Sequence, residues 1–172
     1  MLLFETAIGT CGLSWSDVGI TGVALPRERR LSAPALEPSS RGPSLVPGGV
    51  RAAIAGMVSL LDGEPSDLRS LELDESGLDD FRRRVYAATR GVGPGTTATY
   101  GEVARTIGEP GAARAVGAAL AQNPFPIIVP CHRVLAASGA LHGFSAPGGI
   151  ATKRRMLEIE RAPGFTQAVL FA

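Results

Sequence analysis

The sequence predicts an α+β fold in which a small, acidic α/β half is followed by a basic, helical half. Short apolar runs separated by glycine turns over residues 1–25 are typical of strands, whereas helical patterns fill the second half of the chain. The charge is also divided unevenly. Residues 1–80 carry 6 Lys/Arg against 12 Asp/Glu, a balance of −6, and residues 81–172 carry 11 against 4, a balance of +7. We therefore expect an N-terminal subdomain, a C-terminal domain and a tail, at residues 1–77, 78–162 and 163–172.

The composition is that of a globular protein, with 45% hydrophobic residues in a chain of 172. Two cysteines and two histidines are too few for a disulfide framework or a standard zinc site. The start of the chain lacks the pattern of a signal peptide, and no apolar stretch is long enough to span a bilayer. We expect a soluble, cytoplasmic protein without a metal. The basic half is typical of a nucleic-acid-binding domain, although chance segregation of charge or contact between the halves would explain it equally well.

The N-terminal half is expected to start with β-structure, in which Cys11 lies in a turn and is structural or incidental. Residues 26–49 contain five prolines and are predicted to form a loop. A helix is predicted over residues 50–62, with Gly63 to end it. Residues 64–77 are acidic, and their spaced leucines suggest a short strand.

The C-terminal half is expected to open with a helix at Asp79-Asp80, because carboxylates favour a helix N-terminus. Thr99 and Glu102 fit a capping box, which predicts a short helix from Tyr100 to Ile107. Proline is tolerated in the first turn of a helix, so Pro110 is expected to open the next one, over residues 111–121. Two short helices joined by a tight, glycine-containing turn predict a helix-turn-helix motif.

The helix at residues 111–121 has one face of small residues, from which the long side chain of Arg114 projects. Glycine inside a helix costs about 1 kcal/mol relative to alanine, so an interaction should offset Gly117. Close helix packing and close approach to a DNA minor groove both explain such a face. The helix alone favours packing. Its small residues are Ala113, Ala115, Gly117 and Ala118.

A last helix is predicted over residues 150–161. Its three consecutive basic residues are expected to be exposed, and these are Lys153, Arg154 and Arg155.

The most informative stretch runs from Asn123 to Val134 and places Cys131 directly before His132, behind three prolines. Proline fixes φ and removes a donor, so the approach to the cysteine should be rigid, and the amide of Asn123 can satisfy backbone groups there. A buried core cysteine is the common alternative. An adjacent imidazole can activate a thiol by accepting its proton. Because neighbouring side chains on an extended chain point in opposite directions, we expect the proton of Cys131 to reach His132 through a water molecule. Glu160 is a candidate to fix the imidazole tautomer.

The second half of the chain contains a series of specific motifs, namely T-Y-G-E-V-A, A-A-R-A-V-G, N-P-F-P-I-I-V-P-C-H-R-V, S-G, G-F-S and K-R-R-M-L-E-I-E. Together they resemble one family, the O6-alkylguanine-DNA alkyltransferases, also called methylated-DNA–protein-cysteine methyltransferases. The resemblance covers roughly residues 79–161, and residues 1–78 match only loosely. It implies a ribonuclease-H-like N-terminal subdomain and a winged-helix type of C-terminal domain. It also implies a monomer that acts on double-stranded DNA without a cofactor.

The resemblance implies that Cys131 attacks the alkyl carbon on O6 of a damaged guanine and keeps it as a thioether, so that each molecule reacts once. O4-alkylthymine is left open as a substrate. His132, acting through a water and backed by Glu160, would take the thiol proton. Tyr100 and Ser145 would stabilise the departing guanine, and the turn beside the site would be braced by Asn123. The base would be held by Leu120, Val134 and Phe144.

For the helix at residues 111–121, the resemblance overturns the preference for packing. Arg114 would fill the space that the flipped base leaves in the duplex. The small residues Ala113, Ala115, Gly117 and Ala118 would lie against the minor groove.

Three other functions remain to be weighed. A lesion-binding protein without alkyl transfer would share the fold, but in that class the reactive cysteine is replaced, whereas Cys131 is present. A cysteine hydrolase using Cys131, His132 and Glu160 leaves the helix-turn-helix unexplained. A transcriptional module would not need a Cys-His pair behind three prolines. The sequence departs from the family at Phe144, where many members have tyrosine, and in the Pro-rich segment 26–49.

Overall fold

The computed structural model describes residues 1–26, 46–141 and 144–166. The chain starts with an antiparallel sheet of three strands in the order β1-β2-β3, with bounds Leu2–Thr6, Gly9–Trp15 and Ile20–Ala24. Cys11 lies within β2, paired with Phe4 and fully buried, so the predicted turn at this cysteine is wrong. The turn lies at residues 7–8. Gly9, whose φ of +114° is accessible to glycine, opens β2 directly after it, and the glycine after Cys11 continues the strand.

Helix α1 spans Gly48–Leu61, so it begins inside the segment predicted as a Pro-rich loop. Residues 27–45 of that segment lie outside the described residues. The predicted strand within residues 64–77 is not formed, apart from an isolated bridge between Ile20 and Leu73. Asp67 and Asp74 each accept a hydrogen bond from the backbone N–H two residues ahead. Such local bonds compete with a strand ladder.

Helix α2 spans Asp80–Arg90, with the Asp79 side chain accepting from the N–H of Arg82. Helix α3 spans Tyr100–Thr106 and starts with the predicted capping box of Thr99 and Glu102. Helix α4 spans Ala113–Ala121, so Pro110 lies outside it. The N–H of Ala112 donates to Glu109 O (2.9 Å), which closes a separate turn around the proline.

Strand β4 (Ala98–Thr99) pairs in parallel with β5 (Val134–Leu135). A single 3₁₀ turn, Cys131–Arg133, precedes β5, and helix α5 spans Gly149–Ile159. Residues 167–172 of the predicted tail lie outside the described residues. Within the described ranges, no helix is long and apolar enough to cross a membrane.

One cluster of buried side chains joins the two halves of the chain. It includes Leu13 from β2, Met57 from α1, Val85 from α2 and Val129 from the approach to Cys131. The edge of the sheet also meets that approach directly, because the N–H of Val23 donates to Pro124 O (2.8 Å). The fold is therefore a mixture of helix and sheet in which the N-terminal half supports the Cys131 region.

Candidate active site

The approach to Cys131 is a buried, tightly held turn. The three residues Ile127, Ile128 and Val129 are at most 2% exposed. Asn123 holds the turn from inside, because its Nδ2 donates to Val129 O and its Oδ1 accepts from the N–H of Phe125, both at 2.9 Å. Ile127 has a φ of +75°, which is strained for a β-branched residue. Buried packing on both sides maintains this conformation and fixes the path to the thiol.

A cavity of about 320 Å³ opens at Cys131. The structure brings six of the site residues predicted from the sequence to its walls, namely Tyr100, Leu120, Asn123, Cys131, Phe144 and Ser145. Val134 is not on the wall, since it is fully buried in β5. The Ser145 hydroxyl donates to Ala121 O at the end of α4 (2.7 Å), which fastens the wall segment that contains Ser145 to that helix.

The thiol of Cys131 is protonated at neutral pH in this environment. Burial raises its pKa above 9.0, and this outweighs the opposing effects of a hydrogen bond from Asn123, the charge of Lys153 and nearby backbone N–H groups. A buried thiol becomes a nucleophile only when it loses its proton. The site therefore needs a proton acceptor near Cys131.

His132 and Glu160 form the predicted pair, although 28 residues separate them. The His132 Nε2 lies 2.8 Å from Glu160 Oε1, and both side chains are at most 2% exposed. Burial lowers the pKa of His132, so the imidazole is neutral at pH 7. Burial alone would raise the pKa of Glu160, but hydrogen bonds from His132 and Arg133 and the positive charge of Arg133 hold this pKa at about 2.

These protonation states assign the tautomer of His132. The ionised carboxylate of Glu160 can only accept hydrogen bonds, so Nε2 carries the imidazole proton. Nδ1 is then the basic nitrogen. It is buried and has no hydrogen-bond partner within the described ranges. The pair can therefore accept a proton at Nδ1.

Helix α4 presents part of its small-residue face to solvent. Arg114, Ala115 and Ala118 are exposed, whereas Ala113 and Gly117 are half-buried. A Cβ added at Gly117 would lie 3.8 Å from the ring of Tyr100, which is ordinary van der Waals contact. The inner side of α4 thus borders the cavity through Leu120 and Ala121, and its outer side remains open around Arg114.

Comparisons with known proteins identify the family. Residues 80–162 match the family model described as 6-O-methylguanine DNA methyltransferase, DNA binding domain. A methylated-DNA–protein-cysteine methyltransferase of Mycobacterium bovis is 44% identical over 135 residues, which cover 78% of this chain and 79% of that protein. One from Mycolicibacterium paratuberculosis is 37% identical over 167 residues, covering 97% and 95%. The chain belongs to the methylated-DNA–protein-cysteine methyltransferase family.

Solved structures extend this match to the whole fold. Mycobacterium tuberculosis OGT in complex with DNA is 37% identical with a TM-score of 0.71, covering 95% of this chain and 94% of that one. An O6-methylguanine-DNA methyltransferase from Pyrococcus kodakaraensis is 26% identical with a TM-score of 0.57, covering 92% and 97%. The protein is thus a DNA-repair methyltransferase with a DNA-binding domain.

The first residue that sequence reasoning missed is Arg133. It is buried, and its Nε and Nη2 donate to the two oxygens of Glu160 at 2.9 and 2.8 Å, while Nη1 donates to Val92 O. This forked contact fixes the carboxylate that orients His132. The basic side chain next to a Cys-His pair gave a weak signal, because a sequence does not show which carboxylate such a residue will meet.

The second residue that sequence reasoning missed is Lys153. The sequence predicts that it is exposed, but it is only 1% exposed. Its Nζ donates to Val134 O (2.7 Å) and lies 5.9 Å from the ring centres of Tyr100 and Phe144. Burial lowers its pKa to about 8. The error came from treating three basic residues as one exposed face. Helical spacing places Lys153 on the side of Met156 and Leu157, both buried, which was the available signal.

Among residues 1–26, 46–141 and 144–166, no three His, Cys, Asp or Glu side chains come together as a metal site would require.

Proposed function

We propose that this protein repairs DNA directly by moving the alkyl group from O6 of alkylguanine to the sulfur of Cys131, irreversibly and once per molecule. One observation carries the proposal, namely a buried thiol on the wall of a cavity beside a neutral imidazole held by an ionised Glu160. A second substrate to be tested is O4-alkylthymine.

In this proposal the proton of Cys131 passes through a bridging water to Nδ1 of His132. The unpartnered Nδ1 and the lowered pKa of the imidazole support this step, since the base must be neutral to accept. Glu160 stabilises the imidazolium that forms. The thiolate then attacks the alkyl carbon, so that an S–C bond forms as the C–O6 bond breaks, and the electron pair of that bond stays on the guanine.

The departing guanine needs stabilisation of its negative charge. Burial raises the pKa of Tyr100, so its hydroxyl keeps a proton to donate to N3 of the base. Ser145 would act at O6, for which its hydroxyl must turn away from Ala121 O. The proton taken from the thiol is returned to the guanine, which leaves neutral. A thioether is not reduced by cellular thiols as a disulfide is, which gives the single turnover.

The DNA is proposed to lie on α4, with the small residues in the minor groove and Arg114 in the space of the flipped base. The exposed positions of Arg114, Ala115 and Ala118 support this placement. We also propose that the N-terminal subdomain is ribonuclease-H-like and that the C-terminal domain is of the winged-helix type. The protein would act as a monomer. Cytoplasmic location stays a prediction from the sequence.

The test is the intact mass of the protein after incubation with a duplex that contains O6-methylguanine, followed by peptide mapping. We expect one added methyl group per molecule, on Cys131. Cys131→Ser should abolish transfer while DNA binding persists. The matched control is Cys11→Ser, which removes the other buried thiol and should still transfer. Tight binding without any mass change would instead indicate a lesion-binding protein.

A further inference from the structure

The end of strand β3 forms a wall of the cavity at Cys131. Val23 and Ala24 at the end of the strand, and Leu25 just after it, line this cavity together with the residues of the C-terminal half. β3 is one of the two edge strands of the N-terminal sheet. The N-terminal half thus borders the space that the alkyl group must enter, in addition to supporting the fold.

This wall is fixed relative to Cys131 through the turn that leads to the cysteine. The N–H of Val23 donates to Pro124 O (2.8 Å), next to Asn123, which holds the same turn from inside. The approach of the two segments is close. A Cβ added at Gly22 would lie 3.4 Å from Pro124 O and 3.3 Å from Ser14 Oγ. The wall therefore cannot move away without breaking this hydrogen bond.

Ala24 differs from its two neighbours on this wall. Val23 and Leu25 are buried in the core, at 9% and 5% exposure, whereas Ala24 is exposed. The side chain at position 24 can therefore change in size without disturbing the core. Because Ala24 lines the cavity, we expect a larger side chain there to take space from it.

We propose that Ala24 determines specificity by limiting the size of the alkyl group that Cys131 accepts. Its small side chain leaves room for groups larger than methyl, and a larger side chain at this position would exclude them first. The inference rests on the proposed transfer to Cys131. It adds a specificity role for a residue of the N-terminal half, where the sequence shows only a loose resemblance to the family.

The experiment compares Ala24→Gly, Ala24→Val and Ala24→Leu with the unaltered protein. Single-turnover rates are measured on identical duplexes that carry O6-methylguanine or O6-benzylguanine, and on free O6-benzylguanine. A single methylene in an apolar pocket changes discrimination about 10–200-fold. We therefore expect Ala24→Leu to slow benzyl transfer at least about tenfold relative to methyl transfer. Ala24→Val should be intermediate, because selectivity follows side-chain volume, and Ala24→Gly should react with benzyl groups at least as fast as the unaltered protein.

Ala7→Leu is the matched control, because Ala7 is an exposed alanine of the same half that does not line the cavity. It should leave the benzyl-to-methyl ratio unchanged. An unchanged ratio in Ala24→Val and Ala24→Leu would overturn the proposal, and so would a loss on duplexes without a loss on the free base. Failure of the unaltered protein to accept methyl would instead overturn the proposed function. If circular dichroism shows that Ala24→Leu is unfolded, Ala24→Val decides.

Discussion

At the scale of single residues, the position of the His132 imidazole depends on Arg133, a residue that does not line the cavity at Cys131. Arg133 holds both oxygens of Glu160, and Glu160 holds Nε2 of His132. Removing one partner of a buried ion pair costs about 3–5 kcal/mol, because the other charge is left without compensation. The orientation of the imidazole and the stability of the fold are therefore joined in one network.

Arg133→Lys tests this network, since lysine keeps the charge and loses the planar fork. We expect it to reduce the free energy of unfolding by about 1–3 kcal/mol and to slow alkyl transfer. Urea unfolding and single-turnover rates measure the two effects. The control is Arg69→Lys in the exposed pair with Asp67, which should change neither quantity appreciably. A stable but inactive Arg133→Lys would mean that the fork matters for chemistry alone.

Acid should destabilise the protein in two successive steps. Burial lowers the pKa of His132 from its ordinary 6.5, so its unfolded form binds more protons and stability begins to fall below pH 6.5. The pKa of Glu160 falls from 4.5 to about 2, so its contribution of about 3 kcal/mol is complete above pH 4.5 and is lost towards pH 2. Urea midpoints measured from pH 8 to pH 3 should stay level down to about pH 6.5 and decline from there to pH 3. A midpoint that stays constant from pH 6.5 to pH 4 would contradict a neutral, buried imidazole.

At the scale of elements, the two sides of α4 have different surroundings, the core on one side and solvent on the other. Its inner side packs Val116, Ala119 and Leu120 into the core, and its outer side is open around Arg114. Gly117 lies between these sides, where a Cβ would meet the ring of Tyr100 at an ordinary distance. Packing alone thus does not require glycine at this position, and contact with DNA remains the proposed reason for it.

Ala118→Leu separates contact with DNA from packing. Ala118 is exposed, so the substitution should leave the unfolding free energy within about 0.5 kcal/mol. It should weaken binding to a duplex, because a larger side chain would hold α4 away from the groove. Ala87→Leu, at an exposed alanine of α2, is the matched control and should bind normally. Binding assays on an undamaged duplex measure both. Equal affinity in the two variants would argue against α4 as the DNA-contacting surface.

At the scale of the whole molecule, the sequence predicted the features that neighbouring residues determine. The capping box of Thr99 and Glu102 depends on residues three positions apart, and the Asn123 turn is equally local. The His132–Glu160 pair was predicted because a basic imidazole needs a partner that fixes its tautomer, and also from the family resemblance. The burial of Lys153 and the contact of β3 with Pro124 were not predicted, since both depend on how distant segments pack.

The net charge of +7 in residues 81–172 overstates the surface available to DNA. Arg82 pairs with Asp79, and Arg84 pairs with Asp80 and Glu109, so these α2 arginines are already neutralised locally. Asp79 and Asp80 are counted with residues 1–80, whereas the arginines that they pair with are counted with residues 81–172. The division at residue 80 therefore exaggerates the positive charge of the second half. Arg114, by contrast, makes no ion pair with any described residue.

Arg114→Ala and Arg84→Ala should therefore differ in how they affect DNA binding. Each phosphate contact adds about one to the slope of log affinity against log salt. If Arg114 contacts the backbone as it fills the duplex, its loss should weaken affinity and lower that slope by up to about one, whereas Arg84→Ala should leave the slope nearly unchanged. Arg114→Ala should also slow repair in a duplex while reacting normally with free O6-benzylguanine, because the free base needs no flipping. Titrations in a salt series and single-turnover rates on both substrates measure these effects. Equal losses on duplex and free base would place Arg114 in the support of the cavity and remove it from base flipping.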